Sequence, residues 1–132
     1  MKNQITFTPI GKAHNKIIKR CDMPLEGVNS KITIYKKYAR ALEEIENEQY
    51  LWVLCYLHKA NRQLLLAAPR KAKPDSTMLK GVFAMRSPDR PNPIALTKVK
   101  LIKLIDLTLH VEGLDVIDNT PILDIKSCKT HE

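Results

Sequence analysis

The apolar residues of this chain come in short parcels. The longest unbroken run, Tyr50–Leu57, is eight residues. A membrane-crossing helix needs about 20, whereas an ordinary strand needs about five or six. Prolines, glycines and charged residues punctuate the rest at similar intervals. In a chain of 132 residues, enough for one domain of common size, this spacing predicts a single unit, residues 1–132, built mainly from strands.

The segments can be placed one by one. Residues 4–10 (QITFTPI) alternate around Ile5 and Phe7 and predict a first strand. Residues 11–29 lack clean periodicity and predict a long loop; Lys31–Tyr35 predicts a second strand. Ala39, Leu42 and Ile45 recur at helical spacing and predict one short helix. Tyr50–His58 reads as a strand buried on both faces, because its aliphatic, aromatic and β-branched content is nearly continuous. Gln63–Ala68, Gly81–Met85, Ile94–Lys103, Leu107–Val111 and Ile122–Lys126 follow as further strands, with a polar loop (PRKAKPDSTMLK) after the first of these. The fold class expected is mostly β, a single-sheet barrel-like domain with one short helix.

A nucleotide cofactor is usually held where a glycine-rich turn feeds a helix. Here the four glycines, Gly11, Gly27, Gly81 and Gly113, stand apart from one another. Any nucleotide would therefore be held outside those architectures. Three cysteines (Cys21, Cys55, Cys128) form no CxxC pair, and the histidines show no ligand spacing. Neither a disulfide framework nor a metal site is expected. The first thirty residues show no apolar signal core, so a soluble cytoplasmic protein with no membrane association is the expectation.

Charge narrows the partners. The chain carries a net +8, and the excess is local: residues 59–103 hold eleven Lys and Arg against Asp75 and Asp89. Such a stretch is the electrostatic footprint of a protein that meets a polyanion, although a lysine-rich solvated surface would look the same.

Two segments carry candidate chemistry. In GVFAMRSPDRPNPIAL (81–96), Pro88, Pro91 and Pro93 fix three φ angles and remove three donors, so the segment must be a rigid irregular loop. Arg86 and Arg90 project from it beside Ser87, Asp89 and Asn92. Pre-set guanidinium groups suit carboxylate, phosphate or base recognition; the same loop would serve equally as a stiff connector. In EGLDVIDNTPILD (112–124), Asp118, Asn119 and Thr120 suit a tight turn, and Asp124 sits within an apolar strand, where an inward carboxylate would need Arg86 or Arg90. His58 and Lys59 close the strongest strand.

Together, GVFAMRSPDRPNPIALTKVKL and EGLDVIDNTPILDIK closely resemble the TrmO/VirR-type (TsaA-like) family of S-adenosylmethionine-dependent methyltransferases. That family's pattern runs approximately GVFATRSPxRPNPIGLS, then GLDxLDGTPVLDIKPY, after an upstream PIG and a WxLxxFH strand. This chain has ThrProIleGly at 8–11 and TrpValLeuCysTyrLeuHis at 52–58, so the resemblance spans residues 8–127. It implies a non-Rossmann barrel and a homodimer with the cofactor pocket near the subunit interface. It also implies methyl transfer to N6 of threonylcarbamoyladenosine in a tRNA anticodon loop.

Carried over residue by residue, the resemblance puts S-adenosylmethionine against Glu26, Gly27 and Val28, against His58 and Lys59, and against Arg86 and Leu96. Glu112, Gly113, Leu114 and Asp115 complete the set. Arg90, Asn92 and Lys80 would meet the target nucleotide, and Asp118, Asp124 and Asn92 are the catalytic candidates, the two carboxylates as proton acceptors. Departures are Ala95 and Thr97 in the IGLS stretch, Asn119 for Gly, Ser127 and Cys128 for Pro-Tyr, and a polar segment before Gly81. The bacterial tRNA enzymes of the family carry a further C-terminal segment, so the tRNA expectation rests on the shared region alone. The alternatives are a cofactor-binding sensor, a methyltransferase with another, small-molecule acceptor, and a plain RNA-binding barrel. Aromatics make up only 5% of the chain, which disfavours the last because base stacking needs them.

Overall fold

The computed structural model describes residues 3–69 and 77–132. Its strands are β1 (Gly11–His14), β2 (Val28–Ile34), β3 (Tyr50–Tyr56), β4 (Leu66–Ala67), β5 (Lys80–Gly81), β6 (Ile94–Ile105), β7 (Thr108–Leu114) and β8 (Pro121–Cys128). Six of them close into an antiparallel barrel in the order β1-β2-β7-β6-β3-β8, and β4 pairs with β5 in a separate two-stranded sheet. The mostly-β, barrel-like expectation holds.

Closure follows from period-two patterning. Leu51, Val53 and Cys55 of β3 point inward at 0–1% exposure, where they meet Ile32, Val99, Leu109, Val111, Leu114 and Ile122. Burying one face of every strand and joining the two edges leaves no open ladder to solvent. A barrel of six strands must bend sharply, and the register shifts at Val28/Ser30, Leu54/Cys55 and Leu101/Lys103 mark where it does so. Cys55 behaves as a small core hydrophobe, its thiol pushed up to about 12 by burial.

Several boundaries differ from the sequence reading. Residues 4–10 are not a strand: Ile5 and Phe7 are exposed, and pairing begins only at Gly11, inside the segment expected to be loop. Pro9 lacks the N–H a ladder needs, and the arm meets the barrel at Ile10, whose N–H donates to the Ile122 carbonyl at 2.8 Å. The expected helix is 3₁₀, Lys36–Leu42 and then Ile45–Asn47. Ala39, Leu42 and Ile45 are spaced by threes, which suits three residues per turn. β3 is fully buried on one face only; its outward Tyr50, Trp52, Leu54 and Tyr56 are half-buried. Part of that cover comes from residues 129–132, where Glu132 Oε2 accepts the Trp52 Nε1–H at 3.3 Å. Val82–Ala84, expected as strand, is a 3₁₀ turn. Most of the polar loop before Lys80, with Arg70, Lys71, Lys73 and Asp75 of the basic stretch, lies outside the described residues.

Candidate functional site

Two glycines set the geometry of an open concavity on the barrel wall. Gly27 (φ +75°) and Gly113 (φ +90°) face each other so closely that a Cβ on Gly27 would stand 2.6 Å from the Gly113 carbonyl carbon and oxygen. Left-handed φ values and this approach both require glycine at position 27. The contact brings residues 24–28, entering β2, against the end of β7; Val28 pairs with Leu114 in the ladder. Beside it opens a cleft of about 430 Å³ lined by Glu26, Gly27, Asn29, Tyr50, Lys98, Lys100, Glu112 and Gly113.

Four of the residues assigned by resemblance, Glu26, Gly27, Glu112 and Gly113, therefore share one cleft, although some 85 positions separate the two segments. Its walls carry both signs of charge. Lys98 and Lys100 stand on β6, Glu112 pairs with Lys100 in register, and Lys98 Nζ lies 4.8 Å from the centre of the Tyr50 ring. Opposed charges, an aromatic face and glycine backbone suit a small zwitterion bearing a polar heterocycle. Leu114 is wholly buried, so only its backbone faces this region. Asn29, Tyr50, Lys98 and Lys100 went unassigned in the sequence reading. The alternation Leu96, Lys98, Lys100 on β6 was the available signal, since it puts all three on one outward face.

The proline loop is latched at several points. Asp89 accepts the Asn61 N–H at 2.7 Å and bonds Arg20 Nη1 at 3.0 Å. Burial alone would raise the Asp89 pKa, but the Asn61 and Arg20 bonds, with the Arg20 charge, hold it below the usual aspartate value. Arg62 Nε donates to the Pro91 carbonyl at 2.9 Å and reaches Asn92 Oδ1 at 3.4 Å. Arg20 belongs to the segment that continues through Pro24 to Gly27, so the proline loop and the glycine cleft border the same stretch of chain.

The two loop arginines have different fates. Arg90 turns inward: its guanidinium donates to the carbonyls of Val82, Met85 and Ser87. Arg90, expected to meet a nucleotide, uses this fork to brace its own loop. Arg86 is exposed and makes no hydrogen bond or ion pair with a described residue.

The remaining candidates scatter. Asp118 Oδ1 accepts the Asn15 N–H at 3.0 Å, and its own N–H donates to the Ile17 carbonyl at 2.7 Å. With Asn119 at φ 67° and the buried Thr120 hydroxyl donating to Ile117 O at 2.7 Å, Asp118, one of the proton-acceptor candidates, stands in a built turn. Asp124 faces outward and pairs with Lys126 at 3.2 Å, so it needs neither arginine. It does share an outward row with Leu54 and Leu96 across β8, β3 and β6.

His58 and Lys59 follow the end of β3, away from the cleft lining. Burial first, then the charges of Lys59 and Lys12, lower the His58 pKa. Lys80 is exposed on β5. Asp115 is exposed just beyond β7. Among the described residues, no group of three His, Cys, Asp or Glu could hold a metal ion, and no helix is long and apolar enough to cross a membrane.

Comparison with known proteins agrees with this fold. Residues 15–130 match the family model described as the tRNA-methyltransferase O N-terminal domain. A probable S-adenosyl-L-methionine-binding protein of Methanothermobacter thermautotrophicus is 35% identical over 127 residues, 93% of this chain and 89% of the relative. An S-adenosyl-L-methionine-binding protein of Archaeoglobus fulgidus is 38% identical over 89% of this chain and 85% of its own length. A tRNA (adenine(37)-N6)-methyltransferase of Mus musculus is 38% identical over 70% of this chain but only 21% of its own. Among solved structures, TrmO from Pseudomonas aeruginosa superposes with a TM-score of 0.77 at 25% identity, covering 99% of this chain and 57% of that one. This chain thus spans less than two thirds of the solved TrmO chain. Sequence motif, barrel topology and glycine-floored cleft lead to one conclusion: the chain belongs to the tRNA-methyltransferase O N-terminal domain family.

Proposed function

We propose that the chain is an S-adenosyl-L-methionine-dependent methyltransferase acting on an adenine N6 in tRNA, with threonylcarbamoyladenosine of the anticodon loop as the acceptor. The observation that carries this reading is the meeting of residues 26–27 and 112–113 in one cleft of mixed charge. Its donor set fits the cofactor's amino-acid end: Lys98 and Lys100 suit a carboxylate, Glu26 and Glu112 an ammonium, and the Gly27–Gly113 backbone a purine edge.

When bound, S-adenosyl-L-methionine supplies an electrophilic methyl on a sulfonium sulfur. The protein's share is to orient the acceptor and exclude water. Arg86, exposed on a loop that Asp89 and Arg90 keep rigid, takes a carboxylate or ribose oxygen. His58 and Lys59 extend the same rim. Asn92, with Arg62 beside it, meets the target nucleotide, and Arg90 positions the loop. Asp118 and Asp124 are the proton-acceptor candidates, Asp124 in the row that contains Leu96. The active form is a homodimer, supported by the exposed apolar group Leu65, Leu66, Met78, Leu79 and Phe83 at 54–83% exposure.

The test is transfer itself. Incubation with methyl-labelled cofactor and tRNA bearing threonylcarbamoyladenosine is expected to label that nucleoside. A second reading, binding without transfer, is favoured by the archaeal relatives' names, which mention binding only. Tight cofactor binding with no label in any tRNA would select it.

A further inference from the structure

On the outside of the barrel, four basic side chains stand in one row across four neighbouring strands. The register pairs His14 of β1 with Lys31 of β2, Lys31 with His110 of β7, and His110 with Lys103 of β6. All four point away from the core, since their neighbours Ala13, Ile32 and Leu109 are buried and Leu104 packs against the core. At about 4.8 Å between strands, the row is roughly 14 Å long. The next row in the direction of Gly11 adds Lys12, Thr33 and Thr108, all hydrogen-bond donors. The next row the other way contains Lys100 and Glu112, which line the cleft.

Lys31 and Lys103 flank His110 and make no ion pair with a described residue. Asp118 lies 3.8 Å from His14 Nδ1; along β7, Glu112 is set against Lys100. Burial first, then Lys103 and Lys31, depress the His110 pKa, as cations without counter-charge would. A basic outward row whose lysines lack an ion-pair partner among the described residues, and which is continuous with the cleft, has the form of a track for a polyanion.

We infer that the His14–Lys31–His110–Lys103 row binds the sugar-phosphate backbone of the RNA whose base is presented to the cleft. This rests on the reading of tRNA as substrate and adds where the backbone lies. Phosphates set along the row would replace the missing counter-charges, and the threonine hydroxyls of the adjoining row would donate to them.

The experiment is anisotropy of a fluorescein-labelled anticodon stem-loop RNA, titrated over a range of salt, on the full chain without cofactor. Lys31→Glu with Lys103→Glu is expected to weaken binding by at least about tenfold and to flatten the slope of log affinity against log salt by about one to two. Lys37→Glu with Lys129→Glu, which changes the net charge equally, is expected to change affinity less than about twofold. In the unmutated protein, the RNA is expected to raise the His110 pKa followed by proton NMR, a readout that needs no variant to fold. Equal weakening in the two double variants, or an unmoved His110 titration when RNA binds, overturns the track and leaves the substrate reading intact. No RNA binding by the unmutated protein overturns both. Capture by acidic phospholipid vesicles through Lys31 and Lys103, with no response to RNA, would make the row a membrane surface instead.

Discussion

Gly27 shows how a residue that reads as ordinary loop can carry a site. It touches Gly113 through backbone alone, in a conformation that L side chains rarely adopt. Gly27→Ala is expected to cost roughly 1–3 kcal/mol of stability and to weaken cofactor binding by about tenfold or more, as checked by denaturant unfolding and calorimetry. Unchanged values for both would mean that the two strand ends part without consequence. The loop arginines make a matched pair. Arg90→Ala leaves the Val82, Met85 and Ser87 carbonyls without their donor, and is expected to lower stability by roughly 1–2 kcal/mol. Arg86→Ala should leave the melting temperature unchanged. The arginines were visible in the sequence as residue types, but which one would turn inward was not. That depended on where the 3₁₀ turn Val82–Ala84 leaves its carbonyls.

At the scale of elements, the proline loop is rigid because Asp89 ties it to Asn61 and Arg20. The Asp89 pKa is depressed in the folded state, so its stabilising contribution is present above the unfolded value near about 4. It is lost as pH falls through the lower folded value. Asp89→Asn is therefore expected to lower stability at neutral pH and to have a smaller effect at pH 3. Thermal unfolding across that range checks it; a variant whose deficit grows on acidification would contradict the assignment.

Elements with an internal core face were legible: β2, β3, β6, β7 and β8 were all anticipated to within a few residues. β1 was not, because four residues that sit between two partners need little apolar pattern of their own. The opposite error at 4–10 arose because alternation reports a possible strand face and cannot supply a neighbour.

For the whole molecule, the barrel and its family were readable from motifs that span most of the chain, whereas the cleft was not readable as a place. Lys98, Lys100, Tyr50 and Asn29 join it only once β3, β6 and β2 are side by side. The apolar group around Phe83 calls for a partner at this scale, and a second copy is the partner proposed. Phe83→Asp is expected to shift sedimentation from dimer to monomer; a monomeric parent protein would remove that assembly from the account.

The central claim is that the glycine cleft and the proline loop form one receptor for S-adenosyl-L-methionine. Calorimetric titration of this cofactor into the parent protein and into Arg86→Ala and Lys98→Ala tests it most directly. Binding to the parent, with a loss of about tenfold or more in each variant, is the expected result. Affinity untouched by either substitution would contradict it.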